Sequence, residues 1–206
     1  MRTPFLDVFR PGVRGLARMY FGLRLEGTEH IPAAGPVVIA PNHQMYADPI
    51  LVTIPVLRPI YYMAWNRLFE IPALNWMIRR LRAFPVELES SDPRATREAA
   101  RLLQAGQAVM IFPEGKRSVD GSIGRFKLGA FRLAASLGVP VLPVTISGGY
   151  ASWPPDRMLP RPGKVGITYH PLAFPDPARA PRDAARDLAE RTRAAIASSF
   201  PFSDSR

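Results

Sequence analysis

A histidine and an aspartate five residues apart, His43 and Asp48, lie in the stretch Pro41-Asn42-His43-Gln44-Met45-Tyr46-Ala47-Asp48-Pro49. On one α-helix five steps of about 100° would leave them roughly 140° apart, so they meet only if the chain turns between them. A turn is expected, because Pro49 suits a first helical position, which makes Asp48 the N-cap of a following helix and leaves His43 in the preceding loop. One Asp48 oxygen would then hold an imidazole N–H while the other satisfies a helix N–H. Such a pairing fixes the tautomer, supports charge on the ring and leaves the second nitrogen as a general base. Taken alone the pair has a second reading, a capped helix beside an idle loop histidine. A second block, Phe112-Pro113-Glu114-Gly115-Lys116-Arg117-Ser118, sits in a loop punctuated by Gly115, Gly121 and Gly124. Gly115 opens backbone conformations closed to other residues, and Lys116 with Arg117 offers donors matched to phosphate. The alternative is a surface ion-pair cluster worth under about 1 kcal/mol.

Other chemistries are excluded by composition. The 206-residue chain has no cysteine and three histidines, which removes thiol nucleophiles, disulfides, Cys-based zinc sites and iron–sulfur clusters and leaves no His-rich metal cage. No G-x-S-x-G nucleophile elbow occurs either. With 27 Lys+Arg against 17 Asp+Glu the formal charge is +10, and all but Lys116, Lys127 and Lys164 of the basic residues are arginine. That surplus points to an anionic partner: nucleic acid, a membrane face or a phosphorylated substrate. Nucleic acid fits worst, since the arginines are scattered among apolar aromatics and no binding motif appears.

The elements that must position these residues alternate between two periods. Short apolar runs at 37–40, 60–64, 83–86, 108–112, 139–146 and 165–169 read as strands. Helical patterns cover 126–137, closed by Gly138, and the stretch from the Asp92 cap to Gly106; 182–199 reads as a docking helix. The alternation predicts a single α/β domain with a mostly parallel central sheet flanked by helices. Residues 1–24 interleave Arg2, Arg10, Arg14, Arg18 and Arg24 with apolar side chains and read as a basic amphipathic membrane-surface segment, ahead of the domain at 25–206. Residues 58–82 mix aromatics and arginines in the same way; for either segment the alternative reading is that the aromatics are core and the arginines a solvated face. No stretch is long enough to span a bilayer, and Asp7 and Arg10 interrupt where a signal peptide needs its apolar run, so residence in the cytoplasm or on its membrane face is expected.

Together the blocks resemble the PlsC-like lysophospholipid (glycerolipid) acyltransferase family: Asn42-His43-x-x-x-x-Asp48, then Phe112-Pro113-Glu114-Gly115-x-Arg117-Ser118, then Val139-Pro140-Val141-Leu142-Pro143-Val144. The resemblance spans roughly residues 25–146. It implies that His43 is the general base and Asp48 its support. Glu114, Gly115 and Arg117 would bind glycerol phosphate, with Asn42, Lys116 and Ser118 as neighbouring candidates and Pro140 and Pro143 on the donor side or structural. The implied reaction moves an acyl group from acyl-carrier protein or acyl-CoA to a lysophospholipid hydroxyl, most simply lysophosphatidate giving phosphatidate, with no metal or redox cofactor. The site of action would be an anionic membrane surface, held peripherally on the cytoplasmic face. One block departs: the family's Gly-x-x-Phe-Ile-x-Arg is here Arg82-Ala83-Phe84-Pro85-Val86-Glu87-Leu88. Leu88 in place of Arg removes one phosphate cation unless Arg79, Arg80 or Arg82 supplies it, and leaves a different lysolipid head group, such as a lyso-aminolipid, as the alternative acceptor. A non-catalytic basic membrane-binding module is the competing reading from outside enzymes.

Overall fold

The computed structural model describes residues 4–87 and 92–200; Arg2 and Leu88 lie outside them. Seven strands form one sheet in the order β1-β7-β6-β2-β5-β3-β4. They are β1 (Arg24–Glu26), β2 (Val37–Pro41), β3 (Ile60–Trp65), β4 (Ala83–Val86), β5 (Ala108–Met110), β6 (Val141–Ser147) and β7 (Gly166–Tyr169). All neighbours are parallel except β6 and β7. Strand β1 escapes the sequence reading because three residues with only the middle one half-buried leave no apolar run.

Helices cover both faces. They are α1 (Pro4–Phe21), α2 (Asp48–Thr53), α3 (Pro72–Arg80), α4 (Pro93–Gln104), α5 (Gly129–Leu137), the single turn α6 (Gly149–Ser152) and α7 (Pro181–Ser198). Central strands β2 and β6 are buried at every residue. Because side chains alternate, Val37 and Ile39 of β2 join α1 and α2 on one face while Val38 and Ala40 join α4, α5 and α7 on the other. Burying each of the valines and the isoleucine contributes about 1.5–3 kcal/mol. The expected Asp92 cap is present, with Oδ1 accepting from Arg94 N and Ala95 N. Gly138 closes α5 at φ +64°, while that helix begins at Gly129 rather than Phe126 because Lys127 N donates to Pro113 O in the preceding loop. The basic N-terminal stretch is seated on the domain through Ala17, Phe21 and Leu23, all buried in the face that holds α2.

Strands β2, β5 and β6 run parallel, so their carboxyl ends open on one edge, where open α/β sheets place their ligands. Three connections gather there: Asn42 to Ala47, Ile111 to Leu128, and Gly148 onward. Among the described residues no helix is long and apolar enough to cross a membrane.

Candidate active site

Asn42 leaves β2 with its side chain already committed. Its Nδ2 donates to Ile146 O at 2.8 Å and its Oδ1 accepts from Ile146 N at 2.6 Å, joining the ends of β2 and β6. Fully buried and bonded at both ends of its amide, Asn42 is a positioning residue in place of the acceptor contact expected from its motif. The next five residues turn, and Asp48 comes back to His43: Nδ1 lies 2.8 Å from Asp48 Oδ2. The same oxygen accepts Gln44 N at 2.6 Å and Met45 N at 2.9 Å. This corrects the expected division of labour. Asp48 is the first residue of α2, with Ala47 at the cap position and Pro49 second, and it satisfies loop N–H groups rather than a helix N–H. Its Oδ1 is buried with no hydrogen-bond partner among the described residues.

An ionised carboxylate only accepts, so Nδ1 of His43 carries the proton and Nε2 presents its lone pair. Nε2 makes no hydrogen bond among the described residues, and the His43 side chain is 18% exposed against 0% for Asp48. The ring is stacked on Phe112, centroids 4.0 Å apart and planes at 25°. Held by a carboxylate on one edge and an aromatic on one face, the imidazole has one geometry and one open nitrogen.

The FPEGKRS block supplies the other half of that placement. Glu114 Oε1 accepts from His43 N at 2.9 Å, Oε2 accepts from Gly124 N at 2.9 Å, and Ser118 N donates to His43 O at 2.8 Å. Burial pushes the Glu114 carboxyl above the usual range, against the pull of those two N–H bonds. Glu114 thus clamps two loops together. Ser118 is likewise turned inward, its hydroxyl donating to Ser122 O at 2.8 Å with Asp120 Oδ1 at 3.2 Å. Gly115 adopts φ +71°, and a Cβ there would meet Lys127 Nζ at 2.8 Å. Gly124 has no room either, since a Cβ would stand 2.7 Å from Glu114 Oε2.

The block's own cations are Lys116 and Arg117. Lys116 is exposed. Arg117 lies with its guanidinium carbon 3.5 Å from the Tyr46 ring centroid, and its Nη1 is buried without a hydrogen-bond partner among the described residues. A stacked guanidinium with an unspent, desolvated N–H is a strong anion donor. The three arginines near the departing block do not join it. Ala83 pairs with Tyr62, Tyr62 with Met110 and Met110 with Ile39, which puts Arg82 level with Val38. That is three residues short of the carboxyl end of β2, roughly 10 Å at about 3.3 Å per residue, and three strands away across the sheet. Arg82 donates to Tyr61 OH at 2.9 Å, Arg79 to Asn75 Oδ1 at 2.6 Å, and Arg80 lies over the Trp76 ring.

Sequence reasoning missed three residues here. Gln44, buried, donates from Nε2 to Gly121 O at 3.0 Å and accepts Tyr150 N at 3.2 Å, tying the turn to both other loops. Tyr46 is the platform for Arg117. Gly149 lies so close that a Cβ would stand 2.8 Å from Gln44 Cβ. The signal for it was the double glycine directly after the β6 run, which marks a close backbone approach. Beside the site a cavity of about 390 Å³ opens between α1 and α2, lined among others by Leu16, Tyr20, Ala47, Ile50, Trp153 and Pro160. Among the described residues no cluster of His, Asp or Glu could hold a metal ion.

Comparison with known proteins bears on this geometry. The family model described as Acyltransferase matches residues 22–147. The chain is 34% identical over 134 residues to the chloroplastic 1-acyl-sn-glycerol-3-phosphate acyltransferase LPAT1 of Arabidopsis thaliana, covering 63% of this chain and 37% of that one. It is 31% identical to the 1-acyl-sn-glycerol-3-phosphate acyltransferase of Pseudomonas aeruginosa, covering 76% and 62%. The crystal structure of the 1-acyl-sn-glycerophosphate (LPA) acyltransferase PlsC from Thermotoga maritima superposes with a TM-score of 0.76 at 30% identity, over 95% of this chain and 80% of that one. The match spans between 37% and 54% of the length of the first three curated relatives.

Proposed function

The chain belongs to the Acyltransferase family, and from that premise we propose that it transfers a fatty acyl group from an acyl thioester to the free hydroxyl of a lysophospholipid, 1-acyl-sn-glycerol-3-phosphate giving phosphatidate. The observation that carries this reading is the His43–Asp48 pair, 2.8 Å apart, whose open Nε2 belongs to the same loop cluster as the unspent Arg117 guanidinium. In the reaction, His43 Nε2 takes the hydroxyl proton as the acceptor oxygen attacks the thioester carbonyl carbon. The tetrahedral intermediate collapses with loss of the C–S bond, and the imidazolium returns the proton to the thiolate. One C–O bond forms and one C–S bond breaks, so the balance requires no covalent enzyme intermediate, metal or redox cofactor. Asp48, fixed by three donors on one oxygen, supports the imidazolium in the middle of the cycle.

Arg117 takes the acceptor phosphate, helped by Lys116, and an acyl chain occupies the apolar cavity beside α2. Acyl-carrier protein or coenzyme A carries the donor thioester. The enzyme works as a peripheral protein on an anionic membrane at its cytoplasmic face, resting through residues 1–24 and 58–82. Support comes from the exposed Phe9, Leu16 and Met19 on α1 and the exposed Ile71, Trp76 and Met77 near α3, interspersed with arginines. A second acceptor class, lysolipids with a different head group, is favoured by one observation: Leu88 stands where the family's block closes on Arg, and Arg79, Arg80 and Arg82 are engaged elsewhere. The test is turnover of radiolabelled lysophosphatidate, beside a panel of other lysolipids, with acyl-carrier-protein and CoA donors in parallel. Wild type is expected to make phosphatidate and His43→Ala to lose it; equal turnover by the two proteins would overturn the reading.

A further inference from the structure

The most exposed large apolar side chain among the described residues, Met158, lies in the loop between α6 and β7, outside the two basic aromatic segments in sequence. Met158 is 90% exposed and Leu159 72%, adjacent in sequence and flanked by exposed Arg157 and Arg161. The loop is held in shape: Arg157 N donates to Pro154 O at 3.1 Å, Trp153 Nε1 to Arg157 O at 3.1 Å, and Arg161 returns through N to Ser152 O at 2.9 Å and through Nε to Ala151 O at 2.6 Å. Two adjacent large apolar side chains held out to water on a pinned loop point to a partner that buries them.

The loop's position says what that partner is. Tyr20 OH donates to Pro160 O at 2.9 Å, so the loop is fastened to the last turn of α1 beside exposed Leu16 and Met19. Trp153 and Pro160, at its base, also line the apolar cavity together with Leu16 and Ile50. Through Pro160 the apolar tip adjoins the cavity wall, with exposed Arg157 and Arg161 on either side of it and exposed Asp156 as the loop's one acid. A protein partner would call for a shaped, hydrogen-bonding rim; an apolar tip with basic shoulders matches a bilayer with anionic headgroups. We propose that the 154–162 loop is a membrane-inserting finger, with Met158 and Leu159 in the acyl region and Arg157 and Arg161 at phosphate level, and that it joins the cavity mouth to the bilayer so that an acyl chain enters without crossing water. The inference rests on the proposed handling of lipid at this site.

The absence of cysteine makes the test direct. In the full chain, Met158→Cys labelled with a polarity-sensitive dye should shift its emission to the blue on phosphatidylcholine–phosphatidylglycerol vesicles. Met158→Ser/Leu159→Ser should float with the same vesicles at roughly tenfold or more weaker partition, while its thermal midpoint and its turnover of a short-chain, monomerically dissolved lysophosphatidate match wild type. An unshifted dye together with unchanged partition overturns the proposal, as does a shift produced by acyl-carrier protein and not by vesicles. Failure of wild type to turn over the dissolved substrate would strike the acyltransferase reading instead, and the dye and flotation results would stand apart from it.

Discussion

The backbone N–H of His43 donates to Glu114 Oε1 at 2.9 Å across 71 residues of sequence. This bond and the one from Ser118 N to His43 O join the two motif blocks into one site, and Gly124 N holds the other carboxylate oxygen. The imidazole is oriented by Asp48, but the peptide that carries it is placed by Glu114. A residue type that suggests substrate binding in the sequence is here an internal clamp, since burial and two N–H donors leave its carboxylate facing protein.

Replacing Glu114 should therefore damage both folding and rate. Glu114→Ala leaves two N–H groups unpaired, at about 1–3 kcal/mol for each that stays buried, and lowers kcat more than it raises the acceptor KM. The sign of the pH dependence follows from burial: the folded carboxyl titrates above its unfolded value, so the folded state binds its proton first as pH falls. Stability from this group is full below the unfolded pKa and is lost as pH rises through the folded one. Urea midpoints of wild type and non-titrating Glu114→Gln, compared across the range from the ordinary Glu pKa upward, should move in favour of wild type as pH drops. A gap that widens in the opposite direction refutes the assignment.

Asp48→Asn keeps the shape of the turn and removes the charge. The amide cannot accept all three donors now gathered on Oδ2, and it no longer supports an imidazolium. Turnover should fall by about 10²–10⁴-fold, the usual scale for a positioned acid–base group, with the acceptor KM within a few fold of wild type. A preserved kcat would show that the pair is merely structural.

Gly149→Ala tests a contact that lies outside both motifs. Its new methyl would stand 2.8 Å from Gln44 Cβ, directly behind the turn that carries His43 to Asp48. The turn must move or the methyl must be strained, so a loss of about 1–3 kcal/mol is expected, with reduced turnover at temperatures where the protein is still folded. Circular dichroism melts alongside activity at low temperature separate the two effects.

Arg82 offers a test confined to stability. It is the one described residue other than glycine with positive φ, at +64°, and it occupies the position where the family's block begins with Gly. The left-handed conformation costs about 1–2 kcal/mol, offset by the Tyr61 hydrogen bond and ring contact. Arg82→Ala loses the contacts and keeps the strain, whereas Arg82→Gly loses both. The Gly variant should be the more stable of the two by about 1 kcal/mol in urea titrations; equal midpoints would mean the strain is absent.

How much of this was legible beforehand depends on range. The central strands were readable because burial on both faces leaves continuous apolar runs, as in β6, and α4 because Asp92 caps it locally. His43 and Asp48 were readable as a pair because a proline after Asp48 implied a turn. The roles of Asn42, Glu114 and Ser118 were not, because each depends on where distant backbone donors and acceptors fall: Ile146 for Asn42, Gly124 and His43 for Glu114. Tyr46 and Gln44 carry no mark in the sequence, since a tyrosine or glutamine in a loop has no preferred partner until the loops meet. The exposed tip at Met158 and Leu159 escaped for the same reason, as two apolar residues between prolines look like core until their surroundings are seen.

Arg117 is the side chain whose loss should distinguish acceptor classes. Its Nη1 is desolvated and unspent, and stacking on Tyr46 holds the guanidinium in place without consuming a hydrogen bond. Arg117→Ala should raise the KM for lysophosphatidate by about 10–100-fold, the worth of one or more charge-assisted hydrogen bonds at roughly 1.5–3 kcal/mol. Arg117→Lys should recover only part of that, because an ammonium keeps the charge and forfeits the planar fork and the ring stack. Tyr46→Leu should weaken acceptor binding in the same direction by a smaller factor, since it removes the platform and leaves the charge. If all three variants bind lysophosphatidate as wild type does yet lose turnover with a lysolipid of another head group, the phosphate assignment fails and the alternative acceptor takes its place.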